Sequence, residues 1–161
     1  MDERDVTLLK AIADLGTGSP EALHEETDIP VSTIHYRLNN LREDGVLTND
    51  LYDVDLDAVG LDVTVVLEVL TSYDGSYEDV ADEISTIEGV TQTFFTMGET
   101  DFVVVARLPD SDEVERLISD FEALDPVDRT NSTFVIDRQK DSQRALESYS
   151  LDSLLEALVD E

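Results

Sequence analysis

The chain has 161 residues, of which 41% are hydrophobic and 30% charged, a composition that suits one compact domain or two small ones. Thirty-nine acidic residues against ten basic ones give a formal net charge of −29, yet the mean hydropathy is only −0.18, which argues against global disorder. The chain has no cysteine, which excludes disulfide frameworks, thiolate nucleophiles and cysteine-ligated metal sites.

The hydrophobic runs and the charge pattern together indicate the compartment and the salt conditions in which the protein functions. No apolar run approaches the roughly 20 residues that span a bilayer, and the N-terminal segment is too acidic for a signal peptide. We therefore expect a soluble, cytoplasmic protein with no membrane partner. Only two of the ten basic residues are lysine, and the acids are spread through every segment. Such a surface is typical of halophilic proteins, which work in molar salt, and the alternative is an ordinary acidic protein.

Residues 1–48 are predicted to be helical. In the first helix apolar residues recur at helical spacing: Val6, Leu8, Leu9, Ile12, Ala13 and Leu15. Gly16 is predicted to end this helix. Ser19 is followed by a proline and then by EALHEET, which is typical of a helix start, so a second helix is predicted at about 20–27.

A third helix follows after a short break at residues 28–30. It is predicted to open at Ser32 or its neighbour and to run through to Gly45. Two helices joined by so short a turn cross steeply, which predicts helix-turn-helix geometry. The segment 29–42 contains fourteen residues without an acid, the longest such run in the chain.

One face of the third helix has the chemistry of a DNA-reading surface. Ile34, Leu38 and Leu41 are taken as its buried direction. The opposite face carries Ser32, Thr33, Tyr36, Asn39 and Asn40, with His35 and Arg42 on one flank and Arg37 on the other. Hydroxyls, amides and a phenol can hydrogen-bond base edges, and flanking cations suit phosphates. These residues are the predicted DNA-binding set, and the alternative is a helical hairpin used only for packing.

The second half of the chain predicts a ferredoxin-like domain. The predicted elements are a strand at 61–71, a helix at 74–88, strands at 90–97 and 102–108, a helix at 110–124 and a strand at about 129–137. Their order is βαββαβ, the split βαβ pattern in which two helices cover one face of one sheet. The fold class is therefore α+β, with a helix-turn-helix, winged-helix-like domain joined to a ferredoxin-like domain.

The predicted organisation has four parts. They are a helix-turn-helix domain at 1–50, a linker at 51–61, the ferredoxin-like domain at 62–139 and an amphipathic helical extension at 140–161. Leu51 and Val54, in the linker, are candidates for an extra edge strand. The extension carries an apolar stripe that either packs on its own domain or contacts another subunit.

Three stretches together resemble the Lrp/AsnC (feast/famine) family of transcription regulators. They are DERDVTLLKAI, SPEALHEETDIPVSTIHYRLNNLREDGVL and VTQTFFTMGETDFVVVARLPD, and the resemblance extends to about residue 139. It implies a helix-turn-helix joined to a regulatory domain that dimerises through its sheet, often assembles further and commonly senses amino acids. The low-lysine composition also looks haloarchaeal. The resemblance does not cover residues 140–161.

The turn formed by Gly98, Glu99, Thr100 and Asp101 is the candidate effector site. It matches the Gly-x-x-Asp motif that lies at the effector cleft in the family. Physically, Gly98 can adopt a positive φ that frees backbone amides for a ligand carboxylate, and Asp101 can accept an ammonium group. The alternative is plain hairpin chemistry.

Catalysis has little support in the sequence. Neither His24 nor His35 has a second histidine or a cysteine at ligand spacing, and no phosphate loop is present, so no catalytic residue, metal or cofactor is predicted. The expected function is a sequence-specific DNA-binding regulator whose partners are double-stranded DNA, a second copy of itself in a homodimer or higher even oligomer, and a candidate amino acid effector. The alternative is a small-molecule-binding or protein-interaction module with a vestigial helix-turn-helix.

Overall fold

A computed structural model of the chain describes residues 1–49, 53–72, 76–142 and 144–159, which form two compact units. The first unit comprises Met1–Asp53 and Lys140–Glu161, and the second comprises Val54–Gln139. In chain order the elements are α1 (Glu3–Leu15), α2 (Pro20–Thr27), α3 (Val31–Glu43), β1 (Val63–Thr71), α4 (Tyr77–Ser85), β2 (Val90–Phe95), β3 (Phe102–Leu108), α5 (Asp112–Glu122), β4 (Val127–Val135), a 3-10 helix (Ala145–Ser148) and α6 (Leu151–Leu158). No helix in these described ranges is long and apolar enough to cross a membrane.

The ends of the first two helices follow from local capping. Asp2 and Asp5 form a capping box at the start of α1, in which each backbone amide donates to the other's carboxylate at 3.2 and 3.0 Å. Gly16 ends α1 in the left-handed region at φ +64°, as predicted. The Ser19 hydroxyl accepts from the amide of Ala22 and the next residue is a proline, which confirms the predicted start of α2.

The α2–α3 turn is held by polar contacts, and α3 packs on α1 and α2 through a small apolar core. Ile34 and Leu38 of α3 are buried with residues of α1 and α2, which confirms the predicted buried direction of α3. Asp28 adopts φ +57°, a region that non-glycine residues rarely occupy. His24 Nδ1 lies 2.8 Å from the carbonyl oxygen of Ile29, so this histidine fastens the turn to α2.

The C-terminal segment packs on α1, within the first unit. Leu154 of α6 is buried, and Arg144 Nη1 donates to the carbonyl oxygen of Ala13 at 2.7 Å, which satisfies an acceptor in the last turn of α1. Gly16 makes room for this arginine, because a Cβ there would lie 2.7 Å from Arg144 Nη1. The extension predicted at 140–161 therefore joins the helical part of the chain, although the sheet separates the two in sequence.

The second unit confirms the ferredoxin-like prediction. Among the described residues, four strands form one sheet in the order β2-β3-β1-β4, and every neighbouring pair is antiparallel. Apolar side chains of α4 and α5 cover one face. The core on that face contains Val65, Leu67, Val69, Val80, Ile84, Phe102, Val104, Ala106, Leu108, Val114, Leu117 and Phe121.

Several predicted boundaries shift for identifiable reasons. The helix predicted at 74–88 begins at Tyr77 because Ser76 caps it, and residues 74 and 75 lie outside the described ranges. The strand predicted at 90–97 ends at Phe95, since the chain then turns back into β3. The strand predicted at 129–137 is observed at 127–135, because a bulge brings its first residue into register with the end of β1.

Residues 57–61 belong to the sheet unit instead of forming a free linker. Arg107 of β3 is 8% exposed, and its Nη2 donates to Asp57 Oδ1 at 2.7 Å and to the carbonyl oxygen of Leu61 at 3.0 Å. Arg138, just beyond β4, contacts the same Asp57 and also donates to Thr64 Oγ1. This shared carboxylate anchors much of the segment predicted as the 51–61 linker. Val54 is not in a strand, and Leu51 lies outside the described residues.

Candidate nucleic-acid interface

Helix α3 presents a polar face to solvent. Of the predicted contact residues, Ser32, His35, Tyr36, Asn39 and Arg42 are exposed, and Thr33, Arg37 and Asn40 are half-buried. Tyr36 is 67% exposed, which is high for a large aromatic residue. The face thus combines hydroxyl, phenol and amide groups with an exposed imidazole and guanidinium.

The centre of this face differs slightly from the sequence prediction. At 100° per residue, Ser32, Tyr36 and Asn39 lie within about 60° of one another around the helix axis. Asn40 and Thr33 turn toward the flank, which agrees with their partial burial. We refer to Ser32, Tyr36 and Asn39 as the reading face.

The start of α3 is open to an anion. The helix begins after Pro30 with no side-chain cap, and its first turn contains no acidic residue. The amides of the first turn of a helix lack intrahelical acceptors and carry the positive end of the helix dipole. A DNA phosphate is a suitable acceptor there.

The exposed basic residues of α3, His35 and Arg42, lie on one flank of the reading face. Arg42 Nη1 donates to Asn39 Oδ1 at 3.3 Å, which orients the amide toward solvent along the same face. His35 lies close enough to Glu21 to affect its titration: the pKa of Glu21 is lowered by its own amide, by the Ser19 hydroxyl and by the charge of His35. His35 and Arg42 thus keep the flanking positions predicted for them.

The guanidinium of Arg37 contacts two carboxylates of α1. Its Nη1 donates to both carboxylate oxygens of Asp2 and to Oδ1 of Asp5, each at 2.7 Å. The phosphate contact predicted for Arg37 stays a prediction, and it would compete with these hydrogen bonds to two carboxylates of α1. We call Arg37, Asp2 and Asp5 the Arg37 clasp. Within it, burial raises the pKa of Asp2, but the hydrogen bond and the charge of Arg37, together with hydrogen bonds from the amides of Asp5 and Arg4, lower the pKa below its usual value.

The candidate effector turn is tied to the sheet. Asp101 Oδ2 accepts from the amide and the hydroxyl of Thr71 at 2.7 and 2.9 Å, and the Asp101 amide donates to the carbonyl oxygen of Val69 at 3.0 Å. Gly98 does not adopt the positive φ that the sequence suggested. The expectation about its backbone is therefore corrected: the turn closes through the Thr96 amide and the Asp101 carbonyl, at 2.8 Å, without a left-handed glycine.

An exposed aromatic cluster beside this turn was missed by the sequence analysis. The rings of Tyr77 and Phe95 lie 4.4 Å apart, centroid to centroid, and Phe95 also contacts the buried ring of Phe102 at 5.5 Å. Tyr77 is 43% exposed, Phe95 53%, and the nearby Met97 98%. Their separation in sequence hides the cluster, because it forms only when α4 packs against β2.

The sheet face opposite α4 and α5 carries apolar side chains among polar ones and is only partly covered. Side chains alternate across a strand, so this face carries Val66, Leu70, Phe94, Val103, Val105 and Val135. Five of them are half-buried and Phe94 is 51% exposed. The same register places Glu68 and Asn131 on this face, where Asn131 Nδ2 donates to Glu68 Oε2 at 2.8 Å, so the face mixes apolar and polar side chains.

Metal-binding chemistry finds no support in the part of the chain that the structure describes. No group of three or more histidine and acidic side chains there could hold a metal ion. His24 contacts the backbone of the helical turn, and His35 is exposed on α3.

Comparison with known proteins gives one consistent result. Residues 64–145 match the Lrp/AsnC ligand binding domain. The chain is similar to the HTH-type transcriptional regulator FL11 of Pyrococcus horikoshii, with 25% identity over 142 residues that cover 88% of this chain and 93% of that protein. Its fold is similar to that of a Neisseria meningitidis transcriptional regulator in complex with L-Met, at a TM-score of 0.84 and 22% identity, covering 96% of this chain and 99% of the other. It is also similar to the feast or famine regulatory protein of M. tuberculosis complexed with L-methionine, at a TM-score of 0.75 and 20% identity, covering 85% of this chain and 92% of the other.

Proposed function

The chain belongs to the Lrp/AsnC family, and on that basis we propose that it is a sequence-specific DNA-binding transcriptional regulator that acts as a homodimer or higher even oligomer. The function is exerted in the cytoplasm, on double-stranded DNA, and involves no catalysis. The first unit reads the DNA and the second unit joins the subunits.

The observation that carries this proposal is the exposed, acid-free face of α3. In a chain with 39 acidic residues, fourteen consecutive residues carry none, and they include the whole reading face. Burial of Ile34, Leu38 and Leu41 fixes which side of α3 points outward. A helix that presents hydroxyl, phenol and amide groups, with cations on one flank, suits the major groove, where each base pair offers a distinct pattern of donors and acceptors.

We assign dimerisation to the sheet face opposite α4 and α5. The valines and leucine of that face are half-buried and Phe94 is exposed, so each keeps surface that a partner can cover. Packing against the same face of a second copy would bury them by a twofold, self-complementary contact. Two copies of α3 would then read two half-sites about one turn of DNA, roughly 34 Å, apart.

Selection from a randomised DNA library tests this function. We expect the purified chain to enrich imperfect palindromes whose half-sites are separated by about 10 base pairs. Light scattering at the same salt concentration should show a dimer or a larger even oligomer. Failure to enrich any sequence would contradict the regulator and favour a ligand-binding or protein-interaction module with a vestigial helix-turn-helix. A monomer would remove the basis for palindromic sites.

We assign a small-molecule effector to the turn at residues 98–101. The two structural neighbours named above hold L-methionine, and in this chain the turn lies beside Tyr77, Phe95 and Met97. Exposed rings and a thioether can contact an apolar ligand side chain, and the amides of the turn can meet a ligand carboxylate. Since Asp101 is engaged by Thr71, its first role is to shape the turn.

Calorimetry across the standard amino acids tests the effector assignment. We expect apolar amino acids, L-methionine among them, to bind, and Tyr77→Ala to weaken that binding by about tenfold, which corresponds to roughly 1.4 kcal/mol. The matched control is Phe134→Ala, because Phe134 is also an exposed aromatic residue (54%, against 43% for Tyr77) but lies on β4 at the opposite edge of the sheet. Absence of heat for the whole panel, with DNA affinity unchanged by every amino acid, would leave the turn as a structural hairpin.

A further inference from the structure

We propose that Arg37 is a positioning residue for DNA recognition, which fixes α3 on α1 through the Arg37 clasp so that the reading face meets the bases in one orientation. This inference rests on the proposed DNA-binding function. It differs from the usual expectation for an arginine on such a helix, which is direct contact with a phosphate.

The clasp joins the recognition helix to the first turn of α1. Arg37 directly follows Tyr36 of the reading face, and its Nη1 lies 2.7 Å from oxygens of both Asp2 and Asp5. Its side chain is 18% exposed and that of Asp5 is 19% exposed. Among the described residues, Arg37 Nε is buried with no hydrogen-bond partner, so the guanidinium faces protein instead of solvent.

The two carboxylates are held in place by hydrogen bonds that do not involve Arg37. Asp2 and Asp5 are the two members of the capping box of α1, and each accepts a hydrogen bond from the other's backbone amide. Their oxygens are therefore fixed to the end of a helix. An arginine that binds both is held at a defined point, because hydrogen bonds between charged groups are short and directional.

Apolar packing alone would hold α3 less strictly. Ile34, Leu38 and Leu41 bury one side of the helix, but contacts between apolar side chains are non-directional and tolerate small rotations. Hydrogen bonds to base edges require heavy-atom distances of about 2.7 to 3.2 Å, so a shift of even 1 Å disrupts them. Contacts to phosphates by long, exposed side chains adapt more easily. Loss of the clasp should consequently weaken specific binding more than non-specific binding.

Asp5→Asn separates a positioning role from a purely electrostatic one, because the two predict opposite changes in affinity for DNA. Asp5→Asn removes a negative charge from a DNA-binding unit that is already negative, so electrostatics alone predicts tighter binding to every DNA. Asparagine has one acceptor oxygen, which keeps the amide hydrogen bond of the capping box, so Arg37 loses its hydrogen bond to residue 5 and one of the two charges that hold it. Arg37→Lys keeps the positive charge, but its ammonium nitrogen lies one bond closer to the backbone than the Nη1 that reaches both carboxylates.

The experiment compares affinities for two DNA duplexes, one enriched by the wild-type chain from a randomised library and one of unrelated sequence. We expect Arg37→Lys and Asp5→Asn each to lower affinity for the enriched duplex by about tenfold, within the range for one good base contact, and to change affinity for the unrelated duplex by less than about twofold. The slope of affinity against salt should stay unchanged. Glu3→Gln is the matched control, since Glu3 is an acid of the same helical turn outside the clasp, and it should leave discrimination intact.

Circular dichroism and thermal unfolding establish that each variant is folded. If Arg37→Lys does not fold, Asp5→Asn alone decides. A further variant, Arg37→Gln, removes the charge and tests the alternative. Equal weakening on both duplexes with a shallower salt slope in this variant would show a direct phosphate contact and overturn the positioning role. Full discrimination in Asp5→Asn would also overturn it. A wild-type chain that enriches no sequence would overturn the proposed function together with this inference, so the two failures are distinguishable.

Discussion

Simultaneous replacement of Ser32, Tyr36 and Asn39 by alanine is expected to abolish sequence-specific binding while leaving the protein folded and dimeric. Each good contact between a side chain and a base edge contributes about 1 to 3 kcal/mol of discrimination. Three such contacts, counted at the lower limit, correspond to a loss of about 100-fold in affinity for the enriched duplex. All three side chains are exposed, so their removal leaves no cavity. Fluorescence anisotropy on enriched and unrelated duplexes measures the loss.

The matched control removes the same kinds of side chain from exposed positions outside α3. Ser119→Ala combined with Tyr149→Ala serves this purpose, since Ser119 lies on α5 and Tyr149 follows the 3-10 helix. We expect the control to bind both duplexes like the wild type. Retention of specific binding by the α3 variant would show that another surface reads the DNA.

The fold was predictable because its signals are local. Helix ends marked by Gly16 and by Ser19 with the proline after it appear where the sequence indicates them, since a cap depends on residues within one turn. The order of strands and helices in the second half was enough to predict the ferredoxin-like sandwich, because few topologies satisfy the rules for short connections. Boundaries were less predictable where a bulge or a pairing partner decided them, as at the start of β4.

The site was predictable only in part, because several of its contacts join residues far apart in sequence. A helical wheel places Arg37 beside the reading face, but its partners Asp2 and Asp5 lie more than thirty residues earlier. With 39 acidic residues, no pattern could single out those two. The same reason hides the contact of Arg107 with Asp57 and the aromatic cluster of Tyr77 with Phe95. Long-range pairs of common residue types carry no local signature.

The ion pairs of the first unit bear directly on how affinity depends on salt. Residues 1–50 carry eleven acids and four bases, so the DNA-reading part approaches a polyanion while itself negative. The structure reduces the available cations further: Lys10 pairs with Asp14, and Arg37 is held in the clasp. Ordinary DNA-binding proteins lose affinity as salt rises because their cations release condensed counterions, with a slope of about −0.9 per phosphate neutralised. With so few cations to offer, this chain should release few counterions.

We therefore expect affinity for the enriched duplex to stay flat or to rise between about 0.5 and 2 M KCl, and the protein to unfold partly in dilute buffer. At low salt, repulsion among the carboxylates and between protein and DNA extends over about 10 Å or more, whereas at 1 M the screening length is about 3 Å. Both the fold and the complex thus depend on the same screening, which is the basis of the halophilic interpretation. Fluorescence anisotropy measured at increasing KCl concentrations, with circular dichroism on the same samples, separates the effect of salt on DNA affinity from its effect on folding. A steep fall in affinity over that range, from a protein equally well folded in dilute buffer, would refute the halophilic interpretation. The DNA-binding function would still stand. The counterion release would then show that the interface contains more cations than the described residues of α3 supply.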